Sequence, residues 1–142
     1  MQNQVEVQTL MTSPVKTVSP LNVMTVVSDI FETHNFHHLP VVEEDGTLVG
    51  MLTKHDYNII LSSLTIFKTE WAALDNERFK KSIQVKDVMT KSVVKLHPED
   101  SISKAAAIFK ENLFHALPIV DDQNRVVGIL STFDLMNWAF PG

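Results

Sequence analysis

The chain writes one pattern twice. "FHHLPVV" at Phe36–Val42 returns as "FHALPIV" at Phe114–Val120, and the shift of 78 positions that relates them also carries Met11-Thr12 onto Met89-Thr90 and Pro20 onto Pro98. The same shift carries Ile30-Phe31 onto Ile108-Phe109, Val49-Gly50 onto Val127-Gly128, Leu52 onto Leu130 and Asp56 onto Asp134, without a gap from Met11 to Asp56. A repeat this short is one supersecondary unit that cannot hide its own apolar face, so two copies are expected to cover each other. That constraint shapes every later expectation.

Each copy reads in the same order. A short extended piece (Val15–Val18, Val93–Leu96) leads through a proline turn into a helix, about Asn22–His34 and Asp100–Asn112. In the second copy Ile102, Ala105, Ala106, Phe109 and Leu113 fall at helical spacing on one face, and Asn22 and Asp100 are the expected N-caps. Leu39–Val42 and Leu117–Val120 are too short for helices and rich in β-branched residues, so strands are expected. Polar turns, Glu43–Gly46 and Asp121–Asn124, lead into second strands at Leu48–Leu52 and Val126–Leu130, completing hairpins. A second helix starts near Thr53 and Ser131. The fold class expected is α+β: two β-α-β-β-α repeats related by a pseudo-two-fold axis and packed sheet to sheet.

The domain boundaries expected are residues 1–64 for the first repeat with its N-terminal segment, 65–84 for a linker and 85–142 for the second repeat. Leu61–Gln84 has no counterpart in the repeat, and Trp71, Leu74 and Phe79 sit there at roughly helical spacing among charged residues. An amphipathic helix is expected, with core packing the commoner use of such a stripe and a contact with a second chain the alternative.

Composition excludes several classes. A formal charge of -5 argues against a nucleic-acid or anionic-membrane binder, which needs a basic face. The absence of cysteine removes disulfides, thiolate metal sites and cysteine nucleophiles. Four glycines leave no glycine-rich phosphate loop, and no nucleophile elbow or catalytic triad stands out. His34, His37 and His38 are close in sequence, but His37 and His38 enter a strand pointing to opposite faces, so no metal site is expected. No apolar run approaches membrane-spanning length, and the opening residues lack the basic and apolar regions of a secretory signal, so the expected location is cytoplasmic.

The residues that bear on function follow each hairpin: Gly50-Met51-Leu52-Thr53-Lys54-His55-Asp56 and Gly128-Ile129-Leu130-Ser131-Thr132-Phe133-Asp134. One reading is a helix cap alone, with Thr53 or Ser131 as N-cap and the acid three residues on. The other adds a ligand: a short carboxylate at a helix start can accept both hydroxyls of a ribose diol, and the neighbouring hydroxyl and free N–H groups suit a phosphate. Local physics leaves the two level.

Met-Thr, the turn proline, the Leu-Pro-Val-Val strand and the Gly-apolar-apolar-[Thr/Ser]-x-x-Asp ending, in that order in both copies, resemble a CBS domain. Two in tandem resemble a CBS pair, or Bateman module, with the likeness covering roughly Leu10–Leu61 and Val88–Ala139. The resemblance implies a regulatory module that senses adenosine nucleotides (AMP, ADP or ATP), dimerises, transmits occupancy to an effector and has no catalytic activity or obligatory cofactor. It implies composite pockets. One would join Ser131 and Asp134 to Thr12, Lys16, Phe36, His37 and His38; the other would join Thr53 and Asp56 to Thr90, Val94, Phe114, His115 and Ala116.

In that scheme Asp56 and Asp134 take ribose hydroxyls, and Thr53 and Ser131 meet sugar or phosphate. Lys16, His37, His38, His115 and Lys54 supply positive charge to phosphate, with a pH dependence expected from histidine. Thr12, Phe36, Thr90, Val94, Phe114 and Ala116 border the adenine. The Asp134 pocket, richer in cations, is expected to prefer the more phosphorylated nucleotide. The alternatives are a ligand-free dimerisation module, or a binder of another adenosyl ligand such as S-adenosylmethionine or NAD.

Overall fold

The structure is a computed structural model that describes residues 5–64, 77–78 and 80–142. Trp71, Leu74 and Phe79, the apolar stripe of the expected linker helix, lie outside the described residues, while 77–78 and 80–82 are helical. Elements whose full bounds are described follow in order: a 3-10 turn at Val7–Thr9, α1 (Met24–Thr33), β1 (His38–Val42), β2 (Leu48–Thr53), α2 (Lys54–Leu64), α3 (Val85–Val88), α4 (Ile102–Lys110), β3 (Ala116–Val120), β4 (Val126–Ser131) and α5 (Thr132–Ala139). β1 pairs with β2 and β3 with β4. The second hairpin is antiparallel in the register Leu117↔Leu130, with an irregularity between Ile119 and Val120.

The expected leading strands shrink to single parallel bridges, Val18↔Val41 and Leu96↔Ile119. The expected N-caps are also displaced. Asn22 Oδ1 accepts the Ser19 N–H (2.8 Å) and Asp100 Oδ2 accepts the His97 N–H (2.7 Å). Both side chains close the proline turn, the usual competing use of a short Asx side chain. The caps are Val23, with no side-chain bond, and Ser101, whose Oγ accepts the Lys104 N–H. Leu113 departs as well: α4 stops at Lys110, Asn112 turns the chain at φ 61°, and Leu113 is left 72% exposed rather than on the buried face.

Packing divides the chain into two compact units that interleave in sequence. One holds Thr17–Glu44 and Val49–Val93, and is called the first-repeat unit; the other holds Met1–Lys16, Asp45–Leu48 and Val94–Gly142, the second-repeat unit. Each has its own apolar cluster. Val18, Met24, Val27, Phe31, Leu39, Val41 and Leu52 anchor the first, and Leu96, Ile102, Ala105, Phe109, Leu117, Ile119 and Leu130 occupy the equivalent places in the second.

Each cluster also takes one fully buried residue from the other repeat's leading segment. Val85 completes the first-repeat core and Val7 the second, both fully buried. Matching backbone bonds fix them: Val85 N–H to Asn22 O and Met24 N–H to Ile83 O in one unit, Val7 N–H to Asp100 O and Ile102 N–H to Val5 O in the other. Burying a valine side chain contributes about 1.5–3 kcal/mol, reason enough for the segment before each Met-Thr to sit where it does.

Candidate functional site

The site begins with the Met-Thr segments. Thr12 forms an antiparallel bridge with Ile129 of β4: its N–H donates to the Ile129 carbonyl (2.8 Å) and its carbonyl accepts from the Ile129 N–H (3.1 Å). Ser13 Oγ adds a bond to the Val127 carbonyl at 2.9 Å. In the first-repeat unit Thr90 bridges Met51 of β2 with both bonds at 2.9 Å. Each Met-Thr segment thus becomes an edge partner of the strand that ends in the hydroxyl residue.

Two residues beyond each bridge stands the cap. Ser131 is the N-cap of α5: its Oγ accepts the Asp134 N–H (3.1 Å) while Asp134 Oδ2 accepts the Ser131 N–H (2.9 Å), a complete capping box. At the start of α2, Thr53 Oγ1 accepts the Asp56 N–H at 3.0 Å. Both aspartates are half-buried. Among the described residues Asp134 Oδ1 accepts no hydrogen bond, so one carboxylate oxygen remains for a ligand after the cap is made.

The first-turn amides are less available than the sequence suggested. Lys54 N–H donates to the His37 carbonyl (2.8 Å) and Thr132 N–H to the His115 carbonyl (3.0 Å), and the Asp56 and Asp134 N–H groups are taken by Thr53 and Ser131. A phosphate at either helix start would have to rely on side chains more than on free backbone donors.

The remaining expected residues separate by unit. Thr12, Lys16, Val94, Phe114, His115 and Ala116 belong to the second-repeat unit with Ser131 and Asp134; Phe36, His37, His38, Lys54 and Thr90 belong to the first-repeat unit with Thr53 and Asp56. Lys16, His37 and His115 are exposed, and His38 and Lys54 are half-buried. Phe36 stacks on His34 (centroids 5.2 Å apart, planes 13° from parallel) and packs against the first-repeat core. Phe114 packs against the second-repeat core and Ala116 is buried, so both aromatic rings have core work to do. Among the described residues no group of three or more His, Asp or Glu side chains could hold a metal ion.

Sequence reasoning missed the contact that seats each Met-Thr segment. Met11 lies against Gly128 and Met89 against Gly50, so closely that neither glycine has room for a Cβ. The signal was available, since both methionines and both glycines recur at the same shift. Nothing along the chain linked them.

The CBS domain model matches residues 7–60 and 85–140. The CBS domain-containing protein YhcV of Bacillus subtilis is 33% identical over 129 residues, covering 91% of this chain and 81% of that protein. Among solved structures, the CBS domain pair of protein MJ0100 in complex with 5'-methylthioadenosine and S-adenosyl-L-methionine is 26% identical at a TM-score of 0.73, covering 95% of each chain. CBSX2 in complex with AMP, 24% identical, matches at a TM-score of 0.77 over 94% of this chain and 95% of that one; it shares the fold. Other curated relatives are enzymes by name (a dehydrogenase, an acetyltransferase, a sulfurtransferase), and the chain spans about a fifth of their length. Among the described residues no helix is long and apolar enough to cross a membrane. With the family model matched twice over most of the sequence, the chain belongs to the CBS domain family as a tandem pair.

Proposed function

We propose that the chain is a regulatory module that binds an adenosine nucleotide and passes its occupancy to a partner. The observation that carries this reading is Asp134: half-buried, held by its cap through Oδ2, with Oδ1 uncommitted on the strand end that Thr12 flanks. A carboxylate so fixed accepts a ribose hydroxyl without losing the helix cap. Ser131 offers its O–H to sugar or phosphate, and the same unit carries Lys16 beyond the bridged Thr12 and His115, whose carbonyl accepts the Thr132 N–H, both side chains exposed. Asp56, Thr53 and Lys54 play the same parts in the first-repeat unit, with His37 and His38.

S-adenosylmethionine is the second reading, favoured by the MJ0100 pair, whose structure holds that ligand. The same aspartate would take its ribose, so competition decides between them. A homodimer is part of the proposal. Helix α5 and its C-cap expose Phe133, Met136 and Phe140, at 65%, 60% and 78%, and an apolar face of this kind could be shared by two copies about a two-fold axis.

The test is thermal unfolding with AMP, ADP, ATP, S-adenosylmethionine, NAD and a guanosine control. A ligand specific for the folded state at a hundred times its Kd adds about 2.7 kcal/mol. A rise in Tm with adenosyl ligands that vanishes in Asp134→Ala supports the reading. No rise at millimolar ligand would leave the ligand-free dimerisation module standing in its place. Mass by light scattering, lowered in Met136→Lys, checks the dimer.

A further inference from the structure

Strand alternation puts Gly128 and Leu130 on the core face of β4, and Ile129 and Ser131 on the other. The bridge to Ile129 places Thr12 on the Ile129–Ser131 face and turns Met11 to the core face, where it packs against the second-repeat cluster. There Met11 lies across Gly128. A Cβ on Gly128 would run into Met11 Sδ and stand 2.8 Å from Cγ and 3.1 Å from Cε; its three nearest neighbours all belong to that one side chain. The first-repeat unit repeats the arrangement with a difference. A Cβ on Gly50 would stand 2.5 Å from Met89 Sδ, 3.0 Å from Cγ and 3.0 Å from the Thr90 carbonyl oxygen, which is backbone.

We infer that Met11 and Gly128 are a positioning pair: the methionine seated over the absent Cβ holds Thr12 level with Ile129, and so fixes one border of the ligand site at Ser131 and Asp134. The ligand half of this inference rests on the function proposed above; the seating of Thr12 does not. Neither residue touches the ligand. A methyl group at Gly128 takes the space in which Met11 lies, so the methionine side chain must swing off the strand face, and the packing that holds Thr12 against Ile129 goes with it. Trimming Met11 removes the three nearest contacts of that methyl group. Trimming Met89 leaves the Thr90 carbonyl in the way of an alanine at Gly50.

The experiment is amide hydrogen exchange by NMR on the whole chain, with ligand titration alongside. Gly128→Ala is expected to lose protection at Thr12 and Ile129 while Thr90 and Met51 keep theirs, and to weaken the adenosine ligand by about tenfold. Met11→Ala with Gly128→Ala brings both back to the level of Met11→Ala alone. Met89→Ala with Gly50→Ala restores Thr90 and Met51 only in part. Met11→Ala alone, which keeps the glycine, loosens Thr12 to a lesser degree and serves should Gly128→Ala fail to fold. Unchanged protection in Gly128→Ala, equal loss in both units, or no recovery in the double variant overturns the pair. If Thr12 behaves as described but the wild type binds no adenosyl ligand, the proposed function falls and the pair keeps only its structural half.

Discussion

Helices α2 and α5 begin with the same device, a hydroxyl residue capping an amide of an aspartate three positions on, yet only α2 is sealed into its core. Tyr57 of α2 is 3% exposed; its ring lies 5.4 Å from that of Phe31, and its hydroxyl shares a buried 2.6 Å hydrogen bond with Ser28 Oγ of α1. Ser28 also reaches Glu32 Oε1 at 3.2 Å. The equivalent positions in the second repeat are Leu135 and Ala106, both half-buried, and α5 has no fully buried residue. A hydroxyl pair is a directional fastener, while a leucine against an alanine holds by area alone. The first-repeat unit therefore locks α2, and the second leaves the apolar side chains of α5 facing outward.

The largest effect expected is at that fastener. Tyr57→Ala should cost about 3–5 kcal/mol in denaturant unfolding and Leu135→Ala about 1–2, because only the first empties a closed space. Equal losses would erase the contrast. Ser28→Ala should cost about 1–3 kcal/mol, since it leaves the Tyr57 hydroxyl buried without its partner. Combined with Tyr57→Leu, which makes the first repeat resemble the second, the loss should fall short of the sum of the two single losses. Strict additivity would show that the hydrogen bond is not the coupling element.

The caps come next. Ser131→Ala and Thr53→Ala should each lower stability by about 1 kcal/mol. Because Asp134 also returns a bond to the Ser131 N–H, Asp134→Ala should add to the loss in the second unit even without ligand. A ligand-free melt checks this.

The smallest effect lies in the two hairpin turns and appears only in acid. The Thr47 side chain, then its amide, holds the Asp45 carboxyl below its ordinary 3.8; the Arg125 amide, with that of Gln123, does the same for Asp121. A folded-state pKa below the unfolded one stabilises above the ordinary value, and that stability is lost as pH falls through the folded pKa. Asp45→Asn and Asp121→Asn should flatten the decline of Tm below pH 3.8 and change nothing near neutrality. A flattened profile from one turn alone would show that the two aspartates are not equivalent.

Much of this was legible along the chain because it is local. The strands at Leu39–Val42 and Leu117–Val120 appear with one residue more at the front, and the second strands run one residue further, to Thr53 and Ser131. The cap at Ser131 with Asp134 at N3 follows from spacing alone. Leu113, Asn22 and Asp100 were misplaced for a local reason too: a left-handed residue at Asn112 and two proline turns offered the chain something better than another helical residue.

The sequence by itself determined that there are two copies, where each hairpin and the two longer helices of each copy lie, and which aspartates stand at the helix starts. Hydrophobic periodicity and capping act over a few residues, and a repeat doubles the signal. Only the tertiary structure decided that Val7 and Met11 pack with the second repeat and Val85 and Met89 with the first. That choice turns on fully burying a valine and on whether a methionine finds a strand position with no Cβ, and the partner residues lie far away along the chain. Contacts of that range leave no periodicity to read.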